Sequence, residues 1–294
     1  MRIGIGLPIG ERGDPPRPTR YADMRAMALA AEAGGLDAIY VADHLFFEPP
    51  DGSPTRGLWE SWTILSALAE ATDRVELGPL VLCAPFRNPG LLAWMATALD
   101  EVSDGRLVLG FGAGWHKPEF RAFGFEFERR ASYLADTLEI VVPLLRDGEV
   151  EYSGRLASGN GRLRPRGPRA QGPPILIAGF KPRMMELVVR WADRWNTVWY
   201  GLPDDAFQRD RDNLWAACAR AGRDRAEIGI SAGVEVHANA TAGKLSAEPT
   251  ALADAFNTWA AEGIDEIICR LEPANLDMVE RVVRAAELLR GRPQ

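Results

Sequence analysis

Short apolar runs alternate with amphipathic stretches along almost the whole chain. Ile3–Ile9 reads as a strand, and Arg20–Ala33 as a helix stopped by Gly34-Gly35, residues free to take the backbone angles that end a helix. The couplet recurs as strand Ala38–Ala42 with helix Trp59–Ala71, strand Val75–Cys83 with helix Gly90–Val102, and strand Arg106–Gly112 with helix Ala131–Leu145. It breaks over the turn-rich stretch Asp147–Pro174, then resumes. Strands Ile175–Ala178, Asn196–Tyr200, Ile228–His237 and Glu266–Leu271 alternate with helices Pro182–Trp191, Asp204–Ala221, Thr250–Glu262 and Asp277–Leu289.

Eight strand–helix pairs imply parallel strands, because each return to the same edge of a sheet needs a crossover helix. Eight such pairs close naturally into a (β/α)8 TIM barrel, with an open doubly wound sheet as the alternative. Both flanks of Asp147–Pro174 keep the same rhythm. It is therefore read as an insertion, a short hairpin and loop, within one domain spanning Met1–Gln294. Its Arg155, Arg162, Arg164, Arg166 and Arg169 read as solvated surface.

In a barrel the chemistry sits at the carboxyl ends of the strands. That rule selects Asp43-His44 after the second strand, Cys83–Arg87 after the third, Gly112–Glu119 after the fourth and Gly179–Arg183 after the fifth. Trp199-Tyr200, His237 and Arg270 end the last three. An imidazole titrates near neutrality, so His44 suits proton transfer; the plainer reading is a histidine that caps its loop. Small residues at Gly112-Ala113-Gly114 and at Gly179 let backbone N–H groups approach an anion. Pro182 suits a first helical turn, and Lys181 and Arg183 add positive charge. The same glycines also suit any tight strand-to-helix turn.

The chain has 294 residues, 47% of them hydrophobic, enough for a large core. A net charge of −7 leaves no global basic field for nucleic acid or an anionic membrane, and no run of about 18 apolar residues reads as a membrane span. Cys83, Cys218 and Cys269 are too few and too scattered for a disulfide framework. A cytoplasmic protein without a signal peptide is expected. Three histidines argue against a metal-dependent hydrolase; His116 with Glu119 lacks a third ligand, and no metal is expected.

The strand-end segments resemble the luciferase-like monooxygenase superfamily, and especially its branch that uses the deazaflavin coenzyme F420. The likeness lies in the run Ile3-Gly4-Ile5-Gly6-Leu7-Pro8 and in Ala31–Gly35 continued through Leu36–His44. It extends to Leu77-Gly78-Pro79-Leu80-Val81-Leu82, Arg87-Asn88-Pro89, Gly110–Trp115 leading to Glu119-Phe120, Pro173–Gly179, and Ala192–Asn196. The resemblance implies a catalytic His44 at the reacting centre and Asp43 against the cofactor. It also implies a bulge with a non-proline cis peptide at Leu80–Val81 behind the cofactor ring, and Cys83 at the ring's edge. Ala113, Gly114, Gly179, Phe180, Arg183 and Met184 complete the expected cofactor contacts.

Sugar-phosphate dehydrogenases of this superfamily carry a catalytic glutamate directly after the Gly-x-Gly of strand four, where this chain has Trp115. Such a substrate is therefore not expected. Glu119 stands in a different register, so no second acid or base is assigned, and Trp115 and His116 are read as shaping a substrate pocket. Trp59, Trp62, Trp191, Trp195, Trp199, Trp215 and Trp259 read as core or interface. By analogy with relatives, Trp59–Ala71 and Gly90–Val102 form a homodimer face. The leading expectation is hydride transfer between F420 and a small organic substrate. An FMN-dependent monooxygenase using O2 is the rival, and a non-catalytic cofactor-binding barrel a third reading.

Overall fold

In the computed structural model all residues are described except 14, 241 and 292–294. Eight parallel strands form one ring: β1 (Arg2–Gly6), β2 (Ala38–Val41), β3 in two halves (Glu76–Pro79 and Leu82–Cys83), β4 (Leu109–Gly112), β5 (Ile175–Ala178), β6 (Arg194–Tyr200), β7 (Gly229–His237) and β8 (Glu266–Glu272). β8 pairs with β1 in the register Arg2↔Glu266. The first half of β3 pairs with β2, the second half with β4, and a bridge from Leu77 to Leu107 joins the remaining edges. The closed barrel therefore replaces the open-sheet alternative.

Nine helices follow among the described residues: α1 (Tyr21–Ala33), α2 (Ser61–Ala71), α3 (Pro89–Val102), α4 (Lys117–Phe123), α5 (Arg130–Arg146), α6 (Pro182–Trp191), α7 (Asp205–Ala221), α8 (Pro249–Ala261) and α9 (Leu276–Arg290). Their starts are written locally. Asn88 accepts from the Leu91 amide ahead of Pro89, and Asp204 accepts from the Phe207 amide. The α7 helix stops at Gly222, whose φ of 70° costs glycine nothing.

The structure departs from the sequence expectation in several places. The strand expected over Val75–Cys83 is interrupted at Leu80-Val81, where the peptide is cis. Short α4 stands where a loop was expected. Two small hairpins, Glu11–Arg12 with Arg17–Pro18 and Phe46–Phe47 with Arg56–Gly57, cover the loops after β1 and β2. The insertion does hold a hairpin, Glu149–Ser153 against Ser158–Arg162. Arg155, Arg162, Arg164 and Arg166 are exposed, as expected, and Arg166 also donates to the carbonyls of Leu145 and Arg146 at the end of α5. Only Arg169 is drawn partly inward, where it pairs with buried Asp100.

Strand parity separates two cores. Ile267, Cys269 and Leu271 face outward into the layer packed by the helices. Ile268 faces inward with Ala38, Tyr40, Val108 and Leu176, and Leu80 and Val81 rest on this inner cluster. The amino-terminal pole is closed by charge. Glu76 accepts from Arg2 at 3.0 Å and from Arg194 at 2.7 and 3.1 Å, while the Tyr40 hydroxyl donates to Glu266 at 3.1 Å. Burial opposes ionisation of Glu76, but the two guanidinium partners outweigh it and hold its carboxyl below the usual range. At Glu266 burial wins, and its carboxyl is pushed up.

The two plug carboxylates should therefore respond differently to neutralisation. Glu76→Gln should cost about 3 kcal/mol at neutral pH, because it removes the negative charge and one of the two acceptor oxygens that the Arg2 and Arg194 guanidinium groups share. Glu266→Gln should cost less than about 1 kcal/mol, since its amide oxygen still accepts from Tyr40. Urea denaturation midpoints at pH 7 check both. The Glu76 contribution is present above its ordinary value of 4.5 and is lost as pH falls through its lower folded value.

Candidate active site

The carboxyl-terminal mouth gathers His44, Glu119, Trp115 and the Leu80-Val81 bulge. His44 leaves β2 in the segment Asp43–Phe47, and Glu119 lies in the first turn of α4. The His44 Nδ1 sits 2.8 Å from Glu119 Oε2, and the backbone N–H groups of Leu45 and Phe46 donate to Glu119 Oε1. Glu119 is 1% exposed. Burial opposes its charge, yet the His44 hydrogen bond and the two amides outweigh it and hold the carboxyl below the usual carboxylate range. A carboxylate at Nδ1 fixes the tautomer in which Nδ1 carries the proton and Nε2 is left to accept one. Glu119 is thus the acidic partner of His44 that sequence register left unassigned. Its strand-end place and the likeness at Glu119-Phe120 had marked it, but not its partner, because it sits at the start of a helix whose existence was not anticipated.

Asp43 has a different set of partners. Its two oxygens accept from Ser61 Oγ at 2.6 Å, the Cys83 amide at 2.8 Å and both Arg87 terminal nitrogens at 2.7 and 3.0 Å. Arg87 in turn reaches Glu60, whose side chain caps α2. This network ties the ends of β2 and β3 to the start of α2. Burial, with Asp43 and Glu119 adding repulsion, pushes the Cys83 thiol well up, so it stays protonated beside the site.

Glycines decide how closely β3 and β4 approach. A Cβ on Gly78 would lie 2.1 Å from the Val108 carbonyl oxygen, and one on Gly110 would lie 2.2 Å from that of Pro79. Gly112 lies against Val81, and Gly114, at φ 82°, against Cys83 Sγ and the Phe120 ring. The Gly112-Ala113-Gly114 turn therefore has a packing reason for its small residues. The partly buried Leu80 and Val81 line the opening above the inner cluster, while Ala113 packs on the outer one.

His116 turns away from Glu119: its Nε2 accepts from the Glu48 amide at 3.1 Å. Burial lowers the His116 pKa, in keeping with a neutral, accepting ring. Trp115, 62% exposed, meets His44 edge-on at 5.4 Å between centroids and Phe47 at 6.0 Å, which makes an aromatic wall. On β5, Gly179 accepts from Trp195 Nε1 and packs on Met184. Phe180, Lys181 and Arg183 are exposed at the first turn of α6.

A closed eight-stranded α/β barrel with a histidine–carboxylate pair at its carboxyl-terminal mouth defines a barrel enzyme. The sequence profile of the luciferase-like monooxygenases matches residues 1–282, and the chain belongs to that family of oxidoreductases and monooxygenases. The pyrimidine monooxygenase RutA of Methylobacterium radiotolerans is 32% identical over 244 residues, covering 76% of this chain and 61% of the relative. The 5,10-methylenetetrahydromethanopterin reductase of Archaeoglobus fulgidus is 29% identical over 206 residues, covering 70% of this chain and 57% of the relative. The chain thus spans about three fifths of the length of these relatives. An F420-dependent secondary alcohol dehydrogenase, solved with an F420–acetone adduct, superposes with a TM-score of 0.82 at 16% identity over 98% of each chain. Riboflavin lyase (RcaE), solved with modified FMN, gives 0.78 at 15% identity over 98% of this chain and 91% of the other. No helix among the described residues is long and apolar enough to cross a membrane.

Glu119→Ala should release the loop after β2. Hydrogen–deuterium exchange at the Leu45 and Phe46 amides should accelerate, while amides of the barrel strands keep their protection. In the unmodified protein that local protection should hold above the ordinary carboxyl value of 4.5 and disappear as pH falls through the lower folded value of Glu119.

Proposed function

We propose that the chain is an F420-dependent oxidoreductase that moves a hydride between the deazaflavin and a small organic substrate. The observation that carries this reading is His44, tied at Nδ1 to a buried carboxylate and placed at the strand-end mouth. Hydride transfer at a carbonyl or carbinol carbon must be matched by a proton at oxygen, and a histidine so oriented is suited to exchange it.

The residues present fit a flavin-type ring. Leu80 and Val81 offer a partly exposed apolar platform, and Gly112 keeps the β4 wall from intruding on it. Ala113 and Gly114 lie at its edge, and Asp43 braces it from behind through the Cys83 amide and Arg87. Gly179, Phe180, Lys181, Arg183 and Met184 would hold the phosphate-bearing tail at the start of α6, where the positive end of the helix and two cations favour an anion. When bound, the deazaflavin supplies the hydride acceptor or donor. His44 takes the substrate's hydroxyl proton at Nε2 in the oxidative direction and returns it in the reductive one. Glu119 stabilises the imidazolium that forms. Trp115 and His116 shape the wall beside the reacting atoms and keep water from them. We place the protein in the cytoplasm, as a homodimer through α2 and α3, the latter exposing Leu91, Trp94 and Val102.

A second reading is an FMN-dependent monooxygenase using reduced flavin and O2. The 32% identity to a pyrimidine monooxygenase over most of the chain favours it. Titration of the purified protein with F420 and with FMN separates the two. The first reading expects tighter binding of F420 and no O2 uptake with reduced FMN; tight FMN binding with O2 consumption would overturn it. In the F420 system, His44→Gln should lower kcat by about 100-fold or more with little change in F420 affinity. Unchanged turnover would remove His44 from the chemistry.

A further inference from the structure

The β6–β8 side of the mouth carries a charge arrangement that neither the histidine pair nor the bulge uses. Glu235 and Arg270 are register partners on β7 and β8, and Arg270 shares the inward parity of Ile268, one layer nearer the mouth. Glu235 is 3% exposed and pairs with both Arg270 and Lys244, the latter from the loop after β7. Glu272, the next inward residue on β8, pairs with Arg12 from the β1 loop at 2.8 Å. Two carboxylates thus face three cations, an excess of one positive charge.

That excess is directed. The Arg270 side chain is 54% exposed, and its guanidinium lies over the Trp199 ring at 4.8 Å. Trp199 is itself fixed by the absence of a side chain at Gly233, where a Cβ would lie 2.8 Å from the indole and 2.4 Å from Val198. Stacking leaves the N–H edge of a guanidinium open at its rim; in Arg270 Nη2 is engaged by Glu235, and the rest of the half-exposed fork can donate to a planar oxyanion. Glu272, the other carboxylate that acts on Arg270, is itself paired with Arg12.

We infer that Arg270, held by Trp199, Glu235 and Lys244, is the substrate anchor of the mouth and selects a small organic acid through its carboxylate. The inference rests on the reading of this mouth as the active site and adds a substrate class to it. A carboxylate docked on Arg270 places the remainder of the molecule in the opening lined by Trp115 and the Leu80-Val81 platform. Arg270 acts in binding, and the proton stays with His44.

Benzoate and its neutral isostere benzamide are suitable probes, because the aromatic wall accepts either ring. Calorimetric titration into the full chain should show benzoate binding at least about tenfold more tightly than benzamide. Arg270→Gln should erase the difference, Arg270→Lys should keep part of it, and Lys244→Gln on the exposed loop should reduce it. Equal binding of the two probes by the unmodified protein would overturn the inference. So would a benzoate preference that survives in folded Arg270→Gln, or an Arg270→Gln variant that loses F420 or FMN affinity while still preferring benzoate. Failure of both cofactors to bind would sink the redox reading, whereas the comparison of the two acids speaks to the anion site alone.

Discussion

The close approach of β3 and β4 is the constraint on which the rest of the molecule depends. At Gly78 and Gly110 a single added carbon would overlap a carbonyl oxygen of the neighbouring strand. Because nothing intervenes, the interrupted third strand can pair with β2 below and β4 above, and the ring closes. The same approach lifts Leu80 and Val81 onto the inner cluster and makes them the floor of the mouth. Closure and the platform are therefore one packing solution, written in glycines.

The two poles of the barrel handle charge in opposite ways. At the amino-terminal end Glu76 sits between Arg2 and Arg194, and Glu266 meets Tyr40, so each charge has partners and the opening is sealed. At the carboxyl-terminal end the partners are unequal: one buried carboxylate, Glu235, is shared by two cations, and Arg270 stays half exposed. A sealed, matched network stabilises, while an unmatched charge facing an opening is available to a ligand.

Between these features Glu119 acts as the joint. It reaches from α4 across to the loop after β2, accepts two backbone amides, and orients His44. Asp43, one residue earlier, fastens the same loop to Arg87 and the Cys83 amide. Adjacent acidic residues thus hold the loop that carries His44 from two sides.

Eight alternating apolar and amphipathic stretches were enough to specify a parallel α/β fold with the barrel as its natural form, because period and element order are local properties of the chain. Closure over the open sheet was decided in the tertiary structure. His44, Asp43, the bulge at Leu80–Val81 and the α6 start were legible as strand-end segments, helped by their resemblance to a family. Glu119 was not. Its partnership with His44 spans 75 positions and passes through a short helix with little periodic signal. Arg270 stood at a strand end in the sequence, but its neighbours Glu235, Lys244 and Trp199 come from three other segments. The sequence by itself determined which elements form and which strand ends could carry chemistry. The tertiary structure alone decided which side chains pair there, because barrel closure sets distances that no local pattern encodes.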